Sequence, residues 1–473
     1  MKFLSNWAAL LLASACSCNA VVVHGQAKRQ DVLATATVNL AVPQGTPAHR
    51  ASGFLYGIPD TQGQVPSSFY TDMGFNYARA GGSQLPSPAL GWVYGTTDFQ
   101  NRFDSALSNY KTARSYGARF QLLIADIWGA DGTAQITMPG DDGSWTYYDE
   151  FLEAVFTQIT DNDMTEGLDF EIWNEPDLTD VFWQRDQAQY LEMWGHAFPK
   201  IRAAFPDMPI IGPCSSSQPS TSNTWYAEYY PFVKSNDSVP DYYCWHEEAG
   251  GDDVTTDIEN NIAALEYYGL PQNPVIINEY GVPSEQVPGT TVWYLAQFER
   301  YNTSGLRGNW ASGYSLHDYF ANLLGKPDAT EDCTTTSCET STGYWGNGEY
   351  NIYKYYNLNM TGTRVQTIRS PDALFDIYAT REGTDASTVK MLCGSRLTSG
   401  TWDILVTGLD AVGLPAEGTI TIHSYQFNWP NGEFGDVPAP VDQGTYPHAY
   451  SNNELVFYVS PNTTTGYAFE FVP

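Results

Sequence analysis

The chain has 473 residues, more than one compact core serves, so a large domain with a smaller companion is expected. Lys and Arg number 22 against 54 Asp and Glu, a formal charge of −32. That field repels nucleic acid and anionic membranes, which excludes both as expected partners, and it counts more weakly against a strongly anionic polysaccharide.

At the N-terminus Lys2 precedes an apolar stretch, Trp7 to Ala15, and then small residues up to Ala20. This is the pattern of a secretory signal over residues 1–20, too short to hold a bilayer as an anchor. Lys28-Arg29 reads as a dibasic processing site, so residues 21–29 form a possible propeptide and Gln30 the mature start. A secreted, extracellular protein follows. Five Cys remain after the signal: Cys214, Cys244, Cys333, Cys338 and Cys393. Cys333 and Cys338 bracket a polar stretch suited to a local disulfide in an oxidising compartment, and the odd count leaves a thiol over. Asn236, Asn302, Asn359 and Asn462 each open a glycosylation sequon.

From residue 50 to 360 strand and helix patterns alternate. Strands are predicted at Phe54 to Ile58, Phe75 to Gly82, Arg119 to Trp128, Asp169 to Trp173, Pro209 to Gly212, Asp241 to His246, Val275 to Asn278 and Trp310 to Leu316. Helical spacing fills the gaps, as with Phe103, Leu107 and Tyr110 between strands two and three. Residues 350 to 358 read as a last helix. Eight such units predict a (β/α)₈ barrel. A doubly wound sheet competes, but the first turn carries no Gly-rich phosphate fingerprint. Residues 361–473 change texture: short strands recur with turn signals and no helical period, the signature of an antiparallel β-sandwich. Residues 31–48 alternate too, and are expected to join that sandwich.

Two segments carry the chemistry: Phe170-Glu-Ile-Trp-Asn-Glu-Pro-Asp177 and Val275-Ile-Ile-Asn-Glu-Tyr-Gly281. Each is a run of strand formers that ends near a carboxylate and is then broken by Pro or Gly. On a barrel such positions fall on the catalytic rim. Glu175 and Glu279, from strands four and seven, can converge over the barrel mouth. A pair of carboxyls there can cleave a glycosidic bond, one protonating the leaving oxygen and the other attacking the anomeric carbon. No cofactor is required, and a carbohydrate is the expected substrate.

These motifs resemble glycoside hydrolase clan A, and within it family 39, over roughly residues 31 to 473. The resemblance implies a retaining mechanism with Glu175 as acid/base and Glu279 as nucleophile. It also implies that Asn174 binds the sugar 2-hydroxyl and that Arg79 keeps Glu279 ionised. His246 matches the first position of the family's His-x-Tyr pattern, but the third position here is Glu248. Tyr314 falls where a Trp usually floors the sugar site. Trp128, expected at the end of strand three, is a stacking candidate. The expected activity is cleavage of β-glycosidic bonds in an extracellular oligo- or polysaccharide by double displacement. Endo-action on a polysaccharide, and a catalytically silent glycan-binding protein, are the alternatives.

Overall fold

The computed structural model describes residues 31–248, 253–333, 341–383 and 388–473. The expected signal, propeptide and Cys338 lie outside the described residues. Eight parallel strands close a barrel in chain order: Gly53–Leu55, Tyr77–Ala80, Arg119–Leu123, Leu168–Glu171, Ile210–Ser215, Tyr242–Glu247, Val275–Tyr280 and Ser304–Arg307. The first pairs with the last, Gly53 opposite Leu306, which removes both sheet edges. Parallel neighbours need long crossovers, and helices supply them, among them Thr96–Ser115, Thr146–Asp161, Gln187–Ala204 and Pro288–Tyr301. Several start on a local cap: the Asp186, Asn223 and Asp253 side chains each accept from a backbone N–H in the first turn.

Two strands differ from expectation where it matters. The third ends at Leu123, and Ile124–Trp128 coils into a short helix stopped by left-handed Gly129. The eighth is Ser304–Arg307, not Trp310 to Leu316. Its sequence, Ser-Gly-Leu-Arg, is short and poor in strand formers, so closure of the barrel rather than local propensity makes it a strand. Arg307 is fully buried because it pairs with buried Glu349.

Beside the barrel lies a nine-stranded sheet. Its order is Val441–Tyr450, Gly418–Phe427, Gly466–Phe471, Thr388–Ser395, Phe375–Glu382, Thr363–Ile368, Thr35–Pro43, Trp402–Thr407 and Glu454–Val459. All neighbours are antiparallel except Thr35–Pro43 with Trp402–Thr407. The N-terminal strand thus sits inside the sheet, bonded on both sides to C-terminal strands. The sheet encloses its own core, built on Val38, Phe375, Ile377, Met391, Trp402, Ile404 and Phe469. This is a barrel with an appended β-sandwich-like domain.

The two bodies meet tightly along the helix Pro288–Tyr301, whose residues are buried almost throughout. Gly289 N donates to Thr464 O at 2.9 Å, and the backbones approach so closely that a Cβ on Gly394 would lie 2.1 Å from Gly289 O. Arg396 pairs with Glu285 and stacks over Trp293, and Arg300 pairs with buried Asp376. No helix among the described residues is long and apolar enough to cross a membrane.

Candidate active site

At the C-terminal end of the barrel a cavity of about 450 Å³ is lined by Arg79, Asp126, Asn174, Glu175, Glu248, Glu279 and Trp310, among others. Its floor begins with a buried ion pair. Glu171, the last residue of strand four, is fully buried and accepts from Arg79 Nε and Nη2 at 2.5 Å each, and from Gln121 Nε2 at 2.7 Å. A bidentate guanidinium–carboxylate pair fixes both groups. Arg79 then has two contacts left to make: Nη2 reaches Asn174 Oδ1 at 2.6 Å, and Nη1 hydrogen-bonds Glu279. A guanidinium only donates, so the Asn174 amide oxygen faces Arg79 and its Nδ2 is turned elsewhere.

Glu175 stands four residues past the end of its strand, not at it. Its φ is +39°, a left-handed conformation that costs a non-glycine residue on the order of 1–3 kcal/mol. Its N–H donates to Cys214 O at 2.9 Å, and Pro176 ends the segment. Glu279 is delivered by an irregular register: Trp245 lies opposite Ile277, but His246 lies opposite Glu279, so Asn278 is the extra residue. Such a bulge re-aims the side chain that follows it. Buried Asn278 is held by Cys244 Sγ, 2.8 Å from its Oδ1.

His246 joins the two carboxylates. Its Nδ1 lies 2.8 Å from Glu175 Oε1, and its Nε2 3.6 Å from Glu279 Oε1. The carboxyls are pushed in opposite directions. Burial raises Glu175, and the neighbouring Glu279 charge adds to that, against the pull of His246. Burial also works to raise Glu279, but His246 and Arg79 overcome it, and hydrogen bonds from Arg79 and Glu248 help hold it below the usual carboxylate range. Burial lowers His246, yet Glu279 and Glu175 together raise it. One carboxyl is poised as an acid and the other as an anion, the division glycosidic cleavage needs.

Of the residues expected from sequence, Glu175, Glu279, Asn174, Arg79 and His246 converge here. Two do not. Trp128 is fully buried, its Nε1 bonded to Thr137 O at 3.0 Å and its ring packed edge-on against Tyr147, Tyr148 and Phe151. The early end of strand three turned it into the core, so it offers no face to a sugar. Tyr314 sits on a one-turn helix, Tyr314–His317, partly exposed and absent from the cavity lining. Because strand eight ends at Arg307, the rim aromatic is Trp310 instead, its Nε1 held by Gly281 O at 2.9 Å. Sequence reasoning also passed over Glu171. Asp169 and Glu171 alternate onto one face of an apolar strand, and a buried acid there demands a cation.

One ligand atom each from Glu175, His246 and Glu248 lies within 4.8 Å of the others, close enough to cage a cation. The His246–Glu175 hydrogen bond already uses part of that set.

Residues 146–273 match the model of glycosyl hydrolases family 39, a span from the third crossover helix through Glu175 and His246. A β-xylosidase of Caldicellulosiruptor saccharolyticus is 25% identical over 113 residues, 24% of this chain and 22% of that protein's length. Among solved structures, N2152 from Neocallimastix frontalis shares the fold with a TM-score of 0.71 at 21% identity, over 93% of this chain and 99% of that one. The GH39 enzyme of Xanthomonas axonopodis pv. citri does so with a TM-score of 0.57 at 14% identity, over 94% and 98%. The match to the family 39 model covers barrel strands four to six, and the solved structures share the fold over nearly the whole chain, so the chain is similar to glycosyl hydrolases family 39 in this segment and in overall architecture.

Proposed function

We propose that the protein is a secreted glycosidase that cleaves β-glycosidic bonds with retention, by double displacement. One observation carries the assignment of roles: Arg79 binds Glu279 and not Glu175. A permanent cation keeps Glu279 an anion, so Glu279 attacks the anomeric carbon. As the C–O bond breaks, Glu175 gives its proton to the leaving oxygen, and a covalent glycosyl–enzyme remains. Glu175, now ionised, takes a proton from water, which attacks the same face that the leaving group left. Glu279 is released and the configuration is restored. Asn174 Nδ2, freed by the Arg79 contact, is the donor for the sugar 2-hydroxyl. Trp310 offers the apolar face on which the ring stacks. Kinship with a β-xylosidase supports a xylose-type substrate in an extracellular oligo- or polysaccharide.

Secretion is supported by the N-terminal pattern and by the sequons: Asn236, Asn302 and Asn462 are exposed. Cys333 is not a free thiol, which supports its pairing with Cys338, while Cys214, Cys244 and Cys393 are free and buried.

Azide rescue tests the roles. Glu279→Ala should lose turnover on every substrate, and azide should restore it with a product of inverted configuration. Glu175→Ala should still react with an activated aryl glycoside and stall at the second step, where azide gives retained configuration. The opposite stereochemistry in the two variants reverses the assignment.

A further inference from the structure

A third carboxyl shares this site, and the double displacement does not use it. Glu248 follows strand six and lines the same cavity as Glu279, close enough for each to shift the other's titration. Room for it is built into strand eight's end. A Cβ on Gly308 would lie 2.1 Å from Glu248 Oε1, so any larger residue there would evict the carboxyl. That oxygen is buried and has no hydrogen-bond partner among the described residues. Most of the charge nearby is already committed, though His246 Nε2, 3.6 Å from Glu279 Oε1, makes no hydrogen bond among the described residues. Arg79 spends Nε on Glu171, Nη2 on Glu171 and Asn174, and Nη1 on Glu279. His246 spends Nδ1 on Glu175.

A carboxylate with a bare buried oxygen, against a second carboxylate and without its own cation, is costly. The same group as a neutral acid loses most of that cost and has one proton to donate. Two carboxylates cannot hydrogen-bond each other, so a hydrogen bond between Glu248 and Glu279 requires a proton between them. Arg79 already holds Glu279 ionised, so that proton belongs to Glu248.

We propose that Glu248 is a positioning residue that stays neutral in the working enzyme and donates its carboxyl hydrogen to Glu279, fixing the nucleophile's orientation and keeping it an anion. This rests on Glu279 being the nucleophile. The charged and titratable groups that face Glu248 agree with it. Burial comes first, then Glu279 from strand seven and Glu175 from strand four; all raise Glu248 far above the usual carboxylate range, and Arg79 from strand two opposes them. His246, on the strand that Glu248 follows, has a ring nitrogen within 4.8 Å of the Glu248 carboxyl.

The test is the pH dependence of kcat/KM on an aryl β-xyloside for the wild type, Glu248→Leu and Glu248→Gln. Leucine fills the space and cannot donate. The acid limb, which reports ionisation of Glu279, should move up by about one pH unit, and kcat should fall about 100–1,000-fold, the range for losing one preorganised donor. Glutamine is neutral and donates through its amide. It should return the acid limb to the wild-type position and recover most of kcat. A residue that only packs would leave the acid limb unmoved in both. The proposal is overturned if Glu248→Leu keeps the wild-type acid limb, or if Glu248→Gln is as impaired as Glu248→Leu. Glu279→Ala with azide runs beside them. If Glu279→Ala keeps its turnover, the nucleophile assignment fails; if it is inactive and rescued while Glu248→Leu stays normal, only the role of Glu248 fails.

Discussion

Asp126 is the group whose removal should strengthen the fold, and only above a definite pH. It sits on the short helix after strand three, 3% exposed, and accepts a hydrogen bond from Tyr56. Tyr56 Oη in turn accepts from Gly81 N and Ser83 N at 2.9 Å each. Burial, and then the charge of Asp131, push Asp126 up from 3.8 to about 7. The folded state therefore holds a proton that the unfolded chain has lost between about pH 4 and 7, and stability falls as pH rises through that window. About 3 units at about 1.4 kcal/mol each sets an upper bound of about 4 kcal/mol for the full penalty above pH 7. Asp126→Asn keeps an acceptor for Tyr56 and abolishes the titration. Its melting temperature should match the wild type at about pH 3, below the unfolded value, and exceed it by several degrees at about pH 8, at one fixed scan rate because a chain this large can unfold irreversibly. An equal offset at both pH values would refute the reasoning, since the cost would then lie in packing or hydrogen bonding rather than in a proton.

Two further outcomes follow from the site and the domain contact. Trp310→Ala should raise KM about tenfold with the fold intact, the worth of one stacked ring, whereas Trp128→Ala should cost about 3–5 kcal/mol of stability, read by thermal melting. Truncation at residue 363 should strip the cover from the helix Pro288–Tyr301 and leave Thr35–Pro43 without partners, giving aggregated protein in size-exclusion chromatography; a soluble, fully active barrel would contradict it.

The two carboxyls that meet in the cavity were legible because both segments obey local rules: apolar strand formers, then a carboxylate, then a breaker. What escaped was set by distance. Strand eight, Ser304–Arg307, has little strand character and is made by its neighbours, while the more strand-like Trp310 to Leu316 lies beyond it; that exchange moved the rim aromatic from Tyr314 to Trp310. Trp128 was misjudged because nothing in an apolar run from Phe120 announces that it will coil after Leu123. The strands Thr363–Ile368 and Val441–Tyr450 carry little strand signal of their own because both are largely polar. The second is an edge strand, where Pro447 is tolerated. Glu248 was visible only as a departure from a pattern, and its meaning depends on Gly308, which arrives 60 residues later.

Because Thr35–Pro43 lies between Thr363–Ile368 and Trp402–Thr407, some 320 residues separate it from even the nearer partner. At about 5–20 residues per second, a ribosome takes on the order of 16–64 s to cover that gap. Throughout that interval the first-made strand waits with its ladder open on both sides, while the barrel can already be closing. The seam that joins the chain's two ends is thus the last to be sewn, and any nascent chain released early carries a bare strand at its front.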